Sequence, residues 1–362
     1  MSSQTEVTPM PVQPEDTHSA TTELSGFAFS ALSSMYASIS GEYDLEILDH
    51  TSERFAVKTD YGTYTLEPLG SGTRVAVSAE SAVNLHVLKD GFVLAISHVS
   101  TEVAEAVRWS DTTQEGSLPP NFQFGELLEI TQVCRTFKRL RLAVPDLKAF
   151  NDEALHFRIL RPPETDAPID WPRLKKNGSV AWPKGDAKLH MPVYTARHVH
   201  HAQGLLDIDI FEHEGGQITE WLRRAKKGEQ VAVMGPGGGS IPQADRVHLF
   251  GDETAFPAIA RILEACEDQI EGSVHLLGTS TEVDYPMSPP KRFDVMTYTA
   301  EEEARFCNRA LDCSAKADGA FIWFAAEKAL AQEVRACLKA RKAAAGTYYA
   351  VSYWEKDPAV SA

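Results

Sequence analysis

The sequence predicts a chain of mixed architecture: a small α+β unit, then an antiparallel β-barrel, then an α/β unit built on a parallel sheet. Three observations carry this reading. The 362 residues suit two or three domains of about 150 residues each, and 43% hydrophobic residues suffice to fill ordinary cores. Two polar stretches, residues 1–24 and 110–125, divide the chain. Along it the hydrophobic pattern shifts from mixed to strand-rich, and then to regular alternation of strand and helix.

The elements follow in order. Residues 1–24, rich in Ser, Thr, Pro and Glu, read as a disordered tail. The α+β domain, residues 25–109, opens with a helix over Phe27–Ile39. Strand-like runs follow at Tyr43–Leu48, Arg54–Thr59, Thr63–Pro68 and Thr73–Ser78, then one amphipathic helix over Ala79–Val103. Residues 110–125, with paired prolines, read as a linker.

Residues 126–243 carry strand patterns at Glu129–Cys134, Lys138–Val144, Ala154–Leu160, Pro192–His200, Leu205–His213 and Gln230–Met234. A single helix over Gln217–Lys227 interrupts them, which is a barrel pattern. In residues 244–362, strands at Arg246–Phe250, Ser273–Gly278, Ala320–Ala325 and Tyr348–Tyr353 alternate with helices at Ala255–Cys266, Ala300–Cys313 and Lys328–Ala344. That alternation implies an open, mostly parallel sheet.

Composition excludes several function classes. A net charge of −16 repels nucleic acid and anionic lipid, so neither is expected as a main partner. The five cysteines, Cys134, Cys266, Cys307, Cys313 and Cys337, include no CxxC pair. Neither a disulfide framework nor a structural zinc site is expected, and the thiols point to a reducing compartment. No run of about eighteen apolar residues exists, so no membrane insertion is expected. The N-terminus lacks a basic segment followed by an apolar one, so the expected location is the cytoplasm.

Four motifs carry candidate chemistry. In Pro192-Val193-Tyr194-Thr195-Ala196-Arg197, Tyr194 is suited to stack on a flat, electron-poor ring, and Thr195 to hydrogen-bond the ring's edge. Arg197, two residues on, shares a strand face with Thr195 and suits a phosphate or ligand anion. An ordinary barrel strand with one exposed arginine explains the motif equally well. The run Leu206–Trp221 joins an alternating strand, a Gly215-Gly216 turn and a helix start. Its glycines allow close approach, and the free N–H groups with Thr219 suit a pyrophosphate. An N-capped surface helix with Trp221 in the core is the plainer alternative. Gly235–Ser240 lacks the spacing of a phosphate loop and reads as a flexible exit from the barrel. Leu249–Ile259 is a strand, turn and helix whose turn lies where open sheets bind ligands. Asp252 or Thr254 would equally serve there as a helix cap.

Taken together these motifs resemble the siderophore-interacting protein family, the ferric-siderophore reductases. Tyr194–Arg197, LDIDIFEHEGGQITEW, the GPGGG turn and GDETAFPAIARILE stand in that order and spacing. Phe321–Glu327 and Val351–Trp354 agree, so the resemblance covers Leu127–Trp354. The first block resembles a small uncharacterised domain found with such reductases.

The resemblance implies a ferredoxin-reductase-like pairing of an FAD-binding barrel with a nicotinamide-binding sheet. It implies electron transfer from NADH or NADPH through FAD to a ferric siderophore, releasing Fe(II). Tyr194 and Thr195 would contact the isoalloxazine and count as the catalytic pair. His213, Gly216, Ile218 and Thr219 would surround the FAD phosphates and sugar. Asp252, Glu253, Thr254 and Ala255 would border the nicotinamide, with Glu327 nearby, and Tyr353 and Trp354 would close the site. Three positions depart from the family pattern: Pro192 stands where arginine is usual, and Ser352 and Ala326 stand where glycine is common. Arg197 is the residue placed to compensate for Pro192.

An anionic chelate would require cations, and Arg135 and Arg197 are the candidates, ahead of Lys138 and Arg139. Thr279–Asp284, acidic and without a basic residue before Lys291, favours NADH over NADPH. His198, His200 and His201 lack a completing ligand at a suitable spacing, so no metal is expected. Two other functions compete: a siderophore-binding or iron-sensing protein without catalysis, and a flavin reductase with a different acceptor.

Overall fold

The computed structural model describes residues 18–43, 45–150, 154–165, 167–280, 282–316, 319–344 and 346–356. Residues 1–17 of the expected tail and Thr281 of the acidic loop therefore lie outside the described residues. The chain divides into two compact units, residues 1–120 with 172–181, and residues 121–171 with 182–362.

The first unit is a five-stranded antiparallel sheet under two long helices. Its strands are β1 (His18–Leu24), β2 (Ile47–His50), β3 (Phe55–Thr59), β4 (Gly62–Leu69) and β5 (Gly72–Ala79), in the order β1-β5-β4-β3-β2. Strand β1 corrects the expectation of a tail to residue 24. Ala20, Thr22 and Leu24 point inward at period two, and the strand pairs with β5 from His18↔Ala79 to Leu24↔Thr73. Its inward residues are mostly small or polar, so the alternation is faint in the sequence.

Helix α1 (Phe29–Tyr43) matches the expected first helix. The expected second helix is two, α2 (Ala82–Ser97) and α3 (Thr101–Ala106). Ser81 caps α2 by accepting from Asn84 N–H at 3.1 Å. Ser100 caps α3 in the same way, through Val103 N–H at 3.3 Å, and this second cap starts a new helix. Phe55, Leu66, Leu32 and Phe92 are fully buried between sheet and helices. Each such side chain stabilises the unit by about 1.5–3 kcal/mol.

The second unit begins within the expected linker. Strand β6 (Phe122–Cys134) already includes Phe122 and Phe124, which pack on Trp171 with ring centroids 5.5 and 5.2 Å away. Strands β7 (Phe137–Ala143) and β8 (His156–Leu160) follow. The chain then contributes residues 172–181 to the first unit, as the ribbon β9 (Arg173–Leu174) and β10 (Val180–Ala181). There Trp109 Nε1 donates to the Asn177 carbonyl at 3.0 Å, and Asp90 accepts from Val180 N–H at 2.9 Å.

Strands β11 (Val193–Thr195), β12 (His198–His200), β13 (Leu205–Phe211) and β14 (Gln230–Met234), with helix α4 (Gln217–Leu222), complete an antiparallel sheet ordered β11-β8-β14-β6-β7-β13-β12. The two edge strands are consecutive in sequence, so the sheet curls until its edges meet. Ala196 N–H extends the β11–β8 ladder by donating to Leu155, and Arg197 N–H extends the β12–β13 ladder by donating to Asp207, both at 2.8 Å, so one continuous segment ties the two edges. Leu127, Leu140, Phe157, Ile208 and Val231 fill the barrel.

The last five strands are all parallel: β15 (Arg246–Asp252), β16 (Glu271–Gly278), β17 (Phe293–Thr299), β18 (Phe321–Glu327) and β19 (Tyr348–Trp354), ordered β17-β16-β15-β18-β19. Helices α5 (Phe256–Ala265), α6 (Glu303–Ala315) and α7 (Lys328–Ala340) connect them. Strand β17 was not expected. It is an edge strand with only Phe293 and Tyr298 buried, so it lacks the apolar run of its neighbours. The chain runs outward from β15 to β17 and then returns to β18. The carboxyl ends of β15 and β18 are thus the topological switch point, where open sheets take ligands.

Candidate active site

A cavity of about 540 Å³ lies in the second unit, with barrel residues on one wall and residues of the parallel sheet on the other. Of the sequence-predicted residues, Tyr194, Thr195, His213, Gly216, Ile218, Thr219, Thr254, Tyr353 and Trp354 all line it.

On the barrel wall, β11 pairs with β8 so that Tyr194 stands opposite Phe157 and Thr195 opposite His156. Burial raises the Tyr194 hydroxyl above its ordinary pKa, so this ring is a neutral phenol. From β13 come Asp209 and Phe211. The Asp209 carboxylate accepts from Arg139 Nε at 2.6 Å, from Arg139 Nη2 at 2.7 Å and from the Tyr285 hydroxyl at 2.6 Å.

The turn after β13 is shaped by its glycines. Gly215 has φ +77°. A Cβ on Gly216 would lie 2.8 Å from His213 Nε2 and 3.0 Å from Thr219 Oγ1. A side chain at 216 would require the exposed His213 ring to move aside. Thr219 Oγ1 accepts from His213 N–H at 3.4 Å. The first turn of α4 leaves N–H groups without intrahelical partners, and Gly216–Thr219 line this end of the cavity.

His156 is the residue that motif reading missed. Its Nδ1 lies 2.9 Å from the Gly238 carbonyl, which can only accept, so Nδ1 carries the proton. Its Nε2 then accepts from the Tyr353 hydroxyl at 2.5 Å. Burial lowers the imidazole pKa to about 4, so the ring is neutral at pH 7. Gly237 N–H donates to the His156 carbonyl and Leu155 N–H to the Gly239 carbonyl. The glycine segment read as a flexible exit is therefore pinned to β8, and Gly237 and Gly238 line the cavity.

On the sheet wall, Asp252 organises the switch point without lining the cavity. One carboxylate oxygen accepts from Thr254 N–H at 3.0 Å and Thr254 Oγ1 at 2.6 Å. The other accepts from Glu327 N–H at 2.8 Å and Trp354 Nε1 at 2.7 Å. Burial raises its pKa even though all four donors favour the anion. Glu327 caps α7 by accepting from Ala329 N–H at 2.7 Å. Ala255 is fully buried, and Gly251 must lack a Cβ because one would fall 2.7 Å from that of Ala255. Asp252, Ala255 and Glu327 thus shape the sheet wall from behind. Glu253 faces a separate small cleft, where it accepts from Thr279 N–H at 2.9 Å.

Neither candidate substrate cation, Arg135 or Arg197, lines this cavity. Arg197 does not reach the cavity. Its side chain is 4% exposed, and its guanidinium holds Glu264 through Nη1 at 2.6 Å and Nη2 at 2.5 Å, with Nε on the Tyr285 hydroxyl at 3.2 Å. A carboxylate from α5 occupies the fork that was expected to take a phosphate or chelate. Arg135 lines the small cleft with Glu253, Glu282 and Asp284, where its backbone N–H donates to Asp284 at 3.1 Å.

His198 and His200 gather with Asp207, their ligand atoms within 4.8 Å of one another. Arg141 already holds Asp207 at 2.7 and 2.8 Å, and Arg197 Nη1 lies 2.8 Å from His198 Nε2. Two guanidinium groups against those atoms oppose a bound cation.

Comparison with known proteins agrees with this geometry. The model of the siderophore-interacting FAD-binding domain matches residues 126–240, and that of the siderophore-interacting protein matches residues 244–357. The chain belongs to the siderophore-interacting protein family. Among relatives of this family member, the ferric vibriobactin reductase ViuB of Vibrio cholerae is 31% identical over 168 residues, 44% of this chain and 60% of that protein. The NADPH-dependent ferric-chelate reductase of Escherichia coli is 25% identical over 249 residues, covering 65% of this chain and 94% of that one. The chain thus spans 60% of the length of the Vibrio relative it matches. The siderophore-interacting protein SipS from Aeromonas hydrophila superposes with a TM-score of 0.54 at 22% identity, over 65% of this chain and 99% of that one, and shares the fold.

The residues present fit a flavin. Tyr194 and Phe211 supply aromatic surface for a flat ring, and the turn Gly215–Thr219 supplies neutral donors for a polar tail.

Proposed function

We propose that this siderophore-interacting family member is an FAD-dependent reductase that carries electrons from NADH or NADPH to a ferric siderophore and releases iron as Fe(II). One observation carries the reading. Tyr194 and Thr195 of the barrel, Thr254 after β15 and Trp354 at the end of β19 line one cavity, so a ring held by the barrel would lie beside a donor held by the sheet. The relatives named as ferric vibriobactin and ferric-chelate reductases support it.

Bound FAD accepts two electrons as a hydride and passes them on singly, which no side chain can do. The remaining work is positioning. Tyr194 would stack on the ring and Thr195 would hold its edge. His213, Gly216, Ile218 and Thr219 would hold the sugar and phosphates. Thr254 would meet the nicotinamide, on a wall that Asp252, Ala255 and Glu327 brace and beside the cleft that Glu253 lines. Tyr353 and Trp354 would close the site. Iron(III) is harder than iron(II) and holds oxygen ligands more tightly, so reduction loosens the chelate. In this reading residues 121–171 and 182–243 form the flavin domain, 244–362 the nicotinamide domain, and the first unit a separate domain. Among the described residues no helix is long and apolar enough to cross a membrane. We place the activity in the cytoplasm.

The test is the visible spectrum of the protein supplied with FAD. Flavin bands that bleach on adding NADH or NADPH and recover on adding a ferric hydroxamate or catecholate support the reading. Protein that takes up no flavin overturns it in favour of a non-catalytic siderophore-binding protein. Reduction without reoxidation by any ferric chelate overturns it in favour of a different acceptor.

A further inference from the structure

The flavin cavity contains no lysine or arginine among the described residues that line it. None of the residues outside the described set is Lys or Arg either. Cations on the surrounding strands are engaged elsewhere. Arg139 grips Asp209, Arg197 grips Glu264, Lys138 pairs with Glu212 at 2.9 Å, and Arg158 Nη1 donates to the Met191 carbonyl at 2.9 Å. Of the cavity's imidazoles, His156 and His190 have pKa values lowered by burial, and His213 Nδ1 lies 3.2 Å from the Glu214 carbonyl. What remains for an anion is the His213 ring, the Thr219 hydroxyl and backbone N–H groups.

Hydroxyl and amide donors bind an anion less strongly than Lys or Arg does, and a phosphate entering here meets neither of those cations among the described lining residues. The aromatic and apolar wall serves every flavin equally. We propose that the cavity recognises the flavin by its ring and gains little from its phosphates, so that riboflavin, FMN and FAD bind with similar affinity and the cofactor exchanges with free flavin. This rests on the flavin reading above.

The test is fluorescence titration of the flavin-free full chain with the three flavins. FMN and FAD are expected within about tenfold of riboflavin in Kd. A Kd for either that is lower than riboflavin's by more than this shows phosphate recognition. That result overturns the proposal and leaves the flavin reading intact. Failure of all three to bind overturns the flavin reading itself. Pro192 lines the cavity two residues before Tyr194, on the same strand face. Pro192→Arg adds a cation to the cavity wall, and should tighten FMN and FAD about tenfold or more relative to riboflavin. If Pro192→Arg shifts all three together, or none, the phosphates are not held as proposed and the inference fails.

Discussion

The imidazole of His156 and the phenol of Tyr353 meet at 2.5 Å, joining the barrel strand β8 to the last strand of the parallel sheet. The two residues are 197 positions apart in sequence, and their rings stand edge to face with centroids 5.1 Å apart. Gly238 fixes the tautomer, so Tyr353 donates and His156 Nε2 accepts. Tyr353→Phe keeps the ring and removes the donor, leaving a buried acceptor unsatisfied. The expected cost is about 1–3 kcal/mol of unfolding free energy, read from denaturant titration of the full chain. A change under about 0.5 kcal/mol would mean that the bond is not made in solution.

Buried imidazoles set the response to mild acid. In the second unit, burial lowers the pKa of His156 to about 4 and that of His275 to about 3. An unfolded histidine titrates near 6.5, so between these values the unfolded state binds more protons. Stability is therefore full above pH 6.5 and falls as the pH drops toward 4, by about 1.4 kcal/mol per pH unit for each ring. Asp207 acts later. Burial would raise its pKa, but Arg141, His198 and His200 together hold it below the usual carboxylate range, so its contribution persists until the pH falls below about 4. Denaturation followed by second-unit fluorescence at pH 7 and pH 5 checks this. His156→Gln should flatten the slope by roughly half.

What the sequence made legible was local. Tyr194, Thr195 and the His213–Thr219 turn sit on contiguous motifs, and all line the cavity. His156 was not legible, because its role depends on register with Thr195 and on a tyrosine from the far end of the chain. Arg197 was misread for the same reason: its acceptor, Glu264, lies 67 residues away on α5. Among the elements, β1 and β17 escaped notice because an edge strand needs few large apolar residues to hold its place. The break between α2 and α3 rests on one serine cap inside an otherwise continuous amphipathic pattern.

The Arg197–Glu264 pair should respond unequally to its two truncations. Arg197 is 4% exposed and Glu264 43%, so each leaves a different remnant. Glu264→Ala leaves the buried guanidinium with the Tyr285 hydroxyl and with Asp209 3.9 Å from its Nε, and should cost up to about 3 kcal/mol. Arg197→Met fills similar space without charge and leaves a carboxylate that water can reach, so its cost should be clearly smaller. Because the guanidinium does not line the cavity, Arg197→Met should also leave the Kd for FAD within about twofold of wild type. Selective loosening of FAD relative to riboflavin would instead place Arg197 on a phosphate.

We predict that coenzyme choice is read at the cleft beyond β15 and β16. Glu253, Glu282 and Asp284 line it with a single cation among the described residues, Arg135. Glu253 is held by Thr279 N–H, and Asp284 takes the Arg135 backbone N–H, so both carboxylates are anchored there. An adenosine ribose at this cleft would meet carboxylate acceptors for its hydroxyls, whereas a 2′-phosphate would meet three carboxylates against one guanidinium among the described residues. Like charges so placed cost several kcal/mol, more than one solvent-exposed arginine restores. The expected outcome is a kcat/KM for NADH at least about tenfold above that for NADPH, from steady-state reduction of a ferric chelate. Arg135→Ala should widen the gap by removing the cleft's one favourable charge, and Glu282→Lys should narrow it. Equal turnover with the two donors in the wild-type protein would show that the ribose end does not bind in this cleft.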